Sequence, residues 1–478
     1  MPNRILQLLL SCYLLTVGNC EFRLRGYEDA LLSSQPGNND TAEAHVFRES
    51  IPQLSSRTDI VKLDRAAKDA IHTVVFVVPQ NNMTELTRIL HDVSDPLSSN
   101  YGQHLTREEV ANLTANMGSR DAIVSYLNTK NASVISETLS GEYITANAPV
   151  GVWEEMFNTE FFTFQQTQQD NITKNYTRAE NYWIPRELDD HVESVFNTIE
   201  MPVVLYGNLP KLVPARDIKT NKKSTTSNLM SGLITPAKLR SYYNMSNSVT
   251  GSAYSTQATF AASGEYLSPA DLKDFQTYFG LPVQPIYKQI GNYTSDSQCR
   301  YNVGSCYESN LDIQYIMATS PISPTTYWYT DLQFSDWLVT VANSKNPPLI
   351  FSISYGADEI YTSSSEKDAF STQAIKLGAM GVTIFVSSGD DGANSRNVRT
   401  GGVSSCGYSP SYPATNPYVT AVGATSVCLV MKKSVLVTKR DRLSCLQCIS
   451  LPASIFMFCY LFVFMTTSLY YMSCRVRN

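Results

Sequence analysis

From Thr235 onward the chain alternates between short apolar or β-branched runs and amphipathic stretches, and few architectures accept that pattern. Ala258 to Ala262, Thr326 to Tyr329, Leu349 to Ser354 and Val382 to Ser387 read as strands. Ser268-Pro269 opens a helix that runs to Phe279 and stops at Gly280, and Phe334 to Asn343 and Phe370 to Gly378 continue the helical set. Strands and helices in succession require crossover connections, which build a parallel sheet with helices on both faces. Function in such a sheet gathers where loops leave the carboxyl ends of the strands. Ser354-Tyr355-Gly356 and Ser388-Gly389-Asp390 both fall at such ends.

Between two of these strands lies Tyr307-Glu308-Ser309-Asn310-Leu311-Asp312-Ile313-Gln314-Tyr315, a predicted buried helix ending before Pro321. Residues four apart share a helix face, so the carboxylates of Glu308 and Asp312 stand side by side. Two acids that close push their proton affinities apart, and the pair can serve as a general base in an acidic medium. Taken alone, the spacing is met more often in two solvated acids on a surface helix. Its company is what singles it out.

Glu308-x-x-x-Asp312-x-Gln314-Tyr315, then Ser354-Tyr355-Gly356, then Ser388-Gly389-Asp390 resembles the sedolisins, serine-carboxyl peptidases of subtilisin-like fold. The likeness in order and spacing runs from about residue 70 to about residue 426. It implies a peptidase acting at acidic pH, as an endopeptidase or a tripeptidyl peptidase. Within it Glu308 would take the nucleophile's proton, Asp312 would orient Glu308, and Asp390 would help line the oxyanion hole. Ser354, Tyr355 and Gly356 would form the substrate-binding segment, whose backbone pairs with the peptide as an added strand. Two of these roles call for acid surroundings. A glutamate base titrates near ~4.3 where a histidine would titrate near ~6.5. An oxyanion aspartate donates only when protonated. In isolation, Asp390 before Asp391-Gly392 would pass for a turn-former.

The region ahead of this domain alternates differently. Thr73 to Val78, Val134 to Glu137, Tyr143 to Asn147 and Phe161 to Phe164 are predicted strands. Helices are predicted over Glu85 to Asp92, Arg120 to Leu127 and Val150 to Phe157, with another that Thr106 and Glu109 open as a capping box. Strands and helices mixed in this way suggest an α+β plait. Residues 21–70 are polar, and little fixed structure is expected at their start. The resemblance makes residues 21–206 a removable activation prosegment, chaperone and inhibitor of the peptidase domain, with Tyr101-Gly102 to Thr106 similar to its signature. His104 needs no catalytic role. Residues 207–231, rich in lysine, serine and threonine, read as a linker open to proteolytic processing.

Composition narrows the setting. A net charge of -6 without a sustained basic face argues against nucleic acid as partner. Residues 1–20 have the form of a signal peptide: Arg4, an apolar run, then small residues. Glycosylation acceptors at Asn39, Asn82, Asn112, Asn131, Asn171, Asn175, Asn244 and Asn292 fit passage through the secretory pathway, to a secreted or lysosome-like acidic destination. Cys299 and Cys306 are a plausible local disulfide in that setting, although free thiols fit the spacing equally. No histidine or cysteine spacing typical of a metal centre stands out.

The sequence departs from the family pattern beyond residue 426. The family's nucleophilic serine belongs to a Ser-Gly-Thr-Ser element followed by an aspartate-rich calcium loop, and neither occurs in these 478 residues. Calcium, expected for the family, thus has no recognisable loop, and Glu308 has no recognisable serine to activate. The partial peptidase domain is placed at residues 232–426, followed by an atypical tail, 427–478. Leu443 to Cys474 carries no charge and is rich in Phe, Leu, Met and Tyr, with 449–472 a candidate transmembrane segment. A membrane anchor and translated non-coding sequence are both open readings of it. The expectation is a peptidase precursor inactive as this chain, acting on peptides and held by its own prosegment. A non-catalytic, membrane-tethered glycoprotein that keeps the fold for binding or inhibition is the alternative.

Overall fold

A computed structural model describes residues 44–202, 234–246, 250–390 and 410–423, apart from 53 and 168–172. The signal peptide, the linker, Asp391-Gly392 and the tail lie outside the described residues.

The two larger sheets of the N-terminal part, of three and four strands, are antiparallel. β1 (Ile60–Arg65) pairs with β5 (Phe162–Thr167), which pairs with β6 (Thr173–Arg178). The larger sheet has the order β3-β4-β2-β7, built from β2 (Ile71–Val77), β3 (Ser133–Glu137), β4 (Tyr143–Pro149) and β7 (Ser194–Phe196). Helices α1 (Met83–Ser94), α2 (Arg107–Thr114), α3 (Met117–Thr129) and α4 (Val150–Met156) connect and cover these strands. The α+β reading is borne out. The start of residues 21–70, where little fixed structure is expected, lies outside the described residues; further on, Ile60–Arg65 is a strand, because β5 supplies it with a ladder from a hundred residues away. A long-range pairing of that kind leaves no local signature. The capping box at α2 is present, with Thr106 accepting from the Glu109 N–H and the Glu109 carboxylate accepting from the Thr106 N–H.

The second part is a six-stranded sheet in the order β9-β10-β8-β11-β12-β13, parallel at every pairing. Its strands are β8 (Gln257–Ala261), β9 (Lys288–Ile290), β10 (Thr325–Tyr329), β11 (Ile350–Ile353), β12 (Thr383–Ser387) and β13 (Thr420–Val422). Among the described residues the helices that accompany it include α5 (Pro236–Tyr242), α6 (Pro269–Tyr278), α7 (Tyr307–Thr319), α8 (Phe334–Ala342) and α9 (Ser364–Ala379), with a short helical turn over Asp296–Tyr301. Side chains alternate faces along a strand, and the two cores follow that alternation. On one face Trp328, Phe260 and Phe351 pack against Trp337 and Leu338 of α8 and Phe370 and Leu377 of α9. On the other, Tyr327, Tyr329 and Ala261 pack against Leu272 of α6 and Ile313 and Ile316 of α7. This is the α/β sheet with helices on both faces expected from the alternation. Helix α9 starts six residues earlier than Phe370, because Ser363 caps it through the Glu366 N–H.

Candidate active site

Helix α7 begins at Tyr307, just after a disulfide between Cys299 and Cys306 that closes the preceding turn. Its 3.6-residue period places Glu308 and Asp312 on one face, and both are buried, at 2% and 1% exposure. They do not lie on the surface as paired acids usually would. Neither oxygen of Glu308 makes a well-aligned hydrogen bond among the described residues, although the Ser354 hydroxyl is near enough to favour its charged form, and Asp312 Oδ2 is likewise without a partner. Asp312 Oδ1 accepts from the Ser354 hydroxyl at 2.8 Å.

Three strand exits bring further groups to the pair. Glu265 follows β8, Ser354 follows β11 and Asp390 follows β12. The Glu265 carboxylate comes near the backbone N–H groups of Glu308 and Ser309 at the start of α7, whose partial positive charge favours an acid there. Tyr327 Oη lies 3.0 Å from Ser309 Oγ and donates to the Glu265 carbonyl at 2.8 Å. Tyr355 is fully buried against Phe260.

Burial raises the proton affinity of this cluster, and mutual repulsion adds to it. Glu308 is held well above the ordinary carboxylate range by desolvation first, then by the charges of Asp312, Glu265 and Asp390. Desolvation also lifts Asp312, partly offset by the Ser354 hydrogen bond. Glu265 is pushed up to about 7 by burial, against the pull of its two backbone donors. A carboxyl pair in such surroundings shares protons rather than titrating as two independent acids.

The structure thus brings together Glu308, Asp312 and Ser354, and Asp390 is close enough for its charge to act on Glu308. Within the segment expected to bind substrate, the Ser354 and Tyr355 side chains turn inward. Beyond Gly356, Ala357 and Asp358 pair antiparallel with Tyr412 and Ser411. A Cβ at Gly356 would fall on Ser411 Oγ and near the Tyr412 carbonyl, so this close approach requires glycine. Glu265 was not singled out from sequence. Its signal was a lone acid after Ala262-Ser263-Gly264 at a strand exit, as Asp390 follows Ser388-Gly389. Among the described residues no group of three or more His, Cys, Asp or Glu side chains could hold a metal ion. No described helix is long and apolar enough to cross a membrane.

Residues 58–201 match the activation domain of pro-kumamolisin. The chain is 30% identical to tripeptidyl-peptidase 1 of Dictyostelium discoideum, over 73% of this chain and 61% of that protein. It is 26% identical to human tripeptidyl-peptidase 1, over 77% and 63%. Physarolisin of Physarum polycephalum is also 26% identical, over 77% and 62%. The chain therefore spans somewhat over three-fifths of the length of these relatives. Among solved structures, Pseudomonas sedolisin, a serine-carboxyl proteinase, matches at 23% identity and a TM-score of 0.31, over 40% of this chain and 53% of that one.

Proposed function

The chain belongs to the sedolisin family of serine-carboxyl peptidases, and from that premise we propose that it is a peptidase precursor built around Glu308 and Asp312 as an acid-range general base. The observation that carries this reading is the pair of fully buried carboxyls that have Ser354 as their one hydroxyl neighbour and leave Asp312 Oδ2 and the Glu308 oxygens without a well-aligned hydrogen bond. Burying an unsatisfied acid costs several kcal/mol, and a fold keeps such a feature where a reacting group is to meet it. In the proposed chemistry Glu308 accepts the proton of a serine hydroxyl attacking a peptide carbonyl. Asp312, fixed by Ser354, holds Glu308 in place and shares the proton. Asp390, protonated in acid, donates to the developing oxyanion, while the segment at Ser354-Tyr355-Gly356 aligns an extended peptide. Substrates are peptides or proteins, cut internally or as N-terminal tripeptides. Residues 21–206 act as prosegment, 207–231 as the processed linker. The disulfide and the six described acceptor asparagines, all exposed, support a secretory route to an acidic compartment.

The second reading is a chain that keeps the cleft and binds peptides without cleaving them. One experiment decides between them. The chain is assayed at pH 4 on tripeptidyl and internally quenched peptides, alone and extended beyond Ser426 by the Ser-Gly-Thr-Ser-bearing segment of the Dictyostelium relative. Turnover is expected only from the extended protein, with Glu308→Gln lowering it at least ~100-fold, the scale of a lost general base. Turnover that survives Glu308→Gln would overturn the assignment of the base.

A further inference from the structure

The N-terminal part docks on α9 through a face spaced for a helix: Ala369, Gln373, Lys376 and Ala379. Most of that face is apolar. Ala369 joins Val77, Tyr143 and Phe196 at one end, and Ala379 and Ile375 join Leu86 and Val110 at the other. Between the two apolar clusters lies one ion pair, Lys376 with Glu142, each side chain only 4% exposed. Lys376 Nζ also donates to Gln80 Oε1 at 2.7 Å, and Ser140 Oγ donates to Glu142 Oε2 at 2.7 Å. Gln373 approaches the other Glu142 oxygen at 3.5 Å. The pair is therefore completed by donors and acceptors from both sides of the contact.

A buried ion pair contributes little net affinity, because taking both charges out of water offsets most of their attraction. Its effect is on discrimination. A partner lacking the opposite charge would leave a bare ion inside an apolar contact, which costs several times more than the matched pair gives. We propose that Glu142 and Lys376 are the pairing key by which this prosegment recognises its own peptidase domain. The apolar clusters hold the two parts together, and the ion pair selects the matching partner. This inference rests on reading residues 21–206 as a releasable prosegment.

The test uses the full chain, with a site for a sequence-specific protease placed between residues 211 and 231. After cutting, gel filtration over a dilution series at neutral pH reports whether the two parts stay together. The unsubstituted protein should co-elute as one species. Glu142→Lys alone and Lys376→Glu alone should each weaken association roughly 100- to 1000-fold. The double exchange should recover most of that loss even where a single variant folds poorly. Glu142→Leu with Lys376→Met should stay assembled, since neither side then carries a bare charge. Single variants that co-elute like the parent, or an exchange no better than the worse single variant, would overturn the key. If instead the parent's parts never separate even in acid or denaturant-free dilution, the releasable prosegment fails, and the key's exchange pattern is then read from thermal unfolding of the uncut variants.

Discussion

Two clusters of buried charge stand within one fold, and they are built to opposite rules. Where the N-terminal part meets α9 the charges are unlike, and Gln80 and Ser140 complete their hydrogen bonding. At the strand exits Glu265, Glu308 and Asp312 are all acids, and several of their oxygens are left unpartnered. Glu308 and Asp312 are as deeply buried as Glu142 and Lys376, so exposure alone does not separate structural charge from reactive charge. What separates them is whether the surroundings satisfy the group. The first cluster costs little to keep and much to break; the second is expensive as it stands.

The comparison can be broken or sharpened by measuring which way stability moves. Glu142→Gln in the uncut chain strands a buried ammonium and should destabilise the protein by about 3 kcal/mol, read by denaturant unfolding. Replacing both Cys299 and Cys306 by serine frees the turn that leads into α7. Loop-closure entropy puts the loss at about 2–3 kcal/mol. Protection of the Glu308 and Ser309 amides from hydrogen exchange should fall with it. Glu308→Gln should move the other way. Removing one of the repelling acids should raise the unfolding midpoint at pH 7 by about 1–2 kcal/mol. An equal loss at both clusters would mean that the acids are structural after all.

The sign of the pH dependence follows from the direction of the shifts. An acid whose folded pKa is raised stabilises the fold most below its unfolded pKa, near ~4.3, and that contribution is lost as pH rises through the folded value. For Glu265 the window therefore runs from ~4.3 to about 7. Thermal midpoints should fall across it, and the advantage of Glu308→Gln should fade toward pH 4, where the parent already holds its protons. The smallest effect tests the platform rather than either cluster. Ser363→Ala removes the cap of α9 and should cost about 1 kcal/mol, read as earlier fraying of the helix that carries Lys376.

Periodicity and turn chemistry by themselves determined the alternation of β8, β10, β11 and β12 with α6 to α9, the helix that puts Glu308 beside Asp312, and the caps at Thr106 and Ser268. These are local properties, settled by spacings of two to four residues. Tertiary structure alone decided that β1 is a strand, that Glu265 reaches the first turn of α7 from 43 and 44 positions away in the chain, and that Lys376 meets Glu142. A lysine inside Ala374-Ile375-Lys376-Leu377 is visible as an oddity in any apolar run. Its partner is not, because the pairing depends on how two separately patterned parts are packed, and packing brings together residues whose sequence neighbourhoods carry no trace of each other.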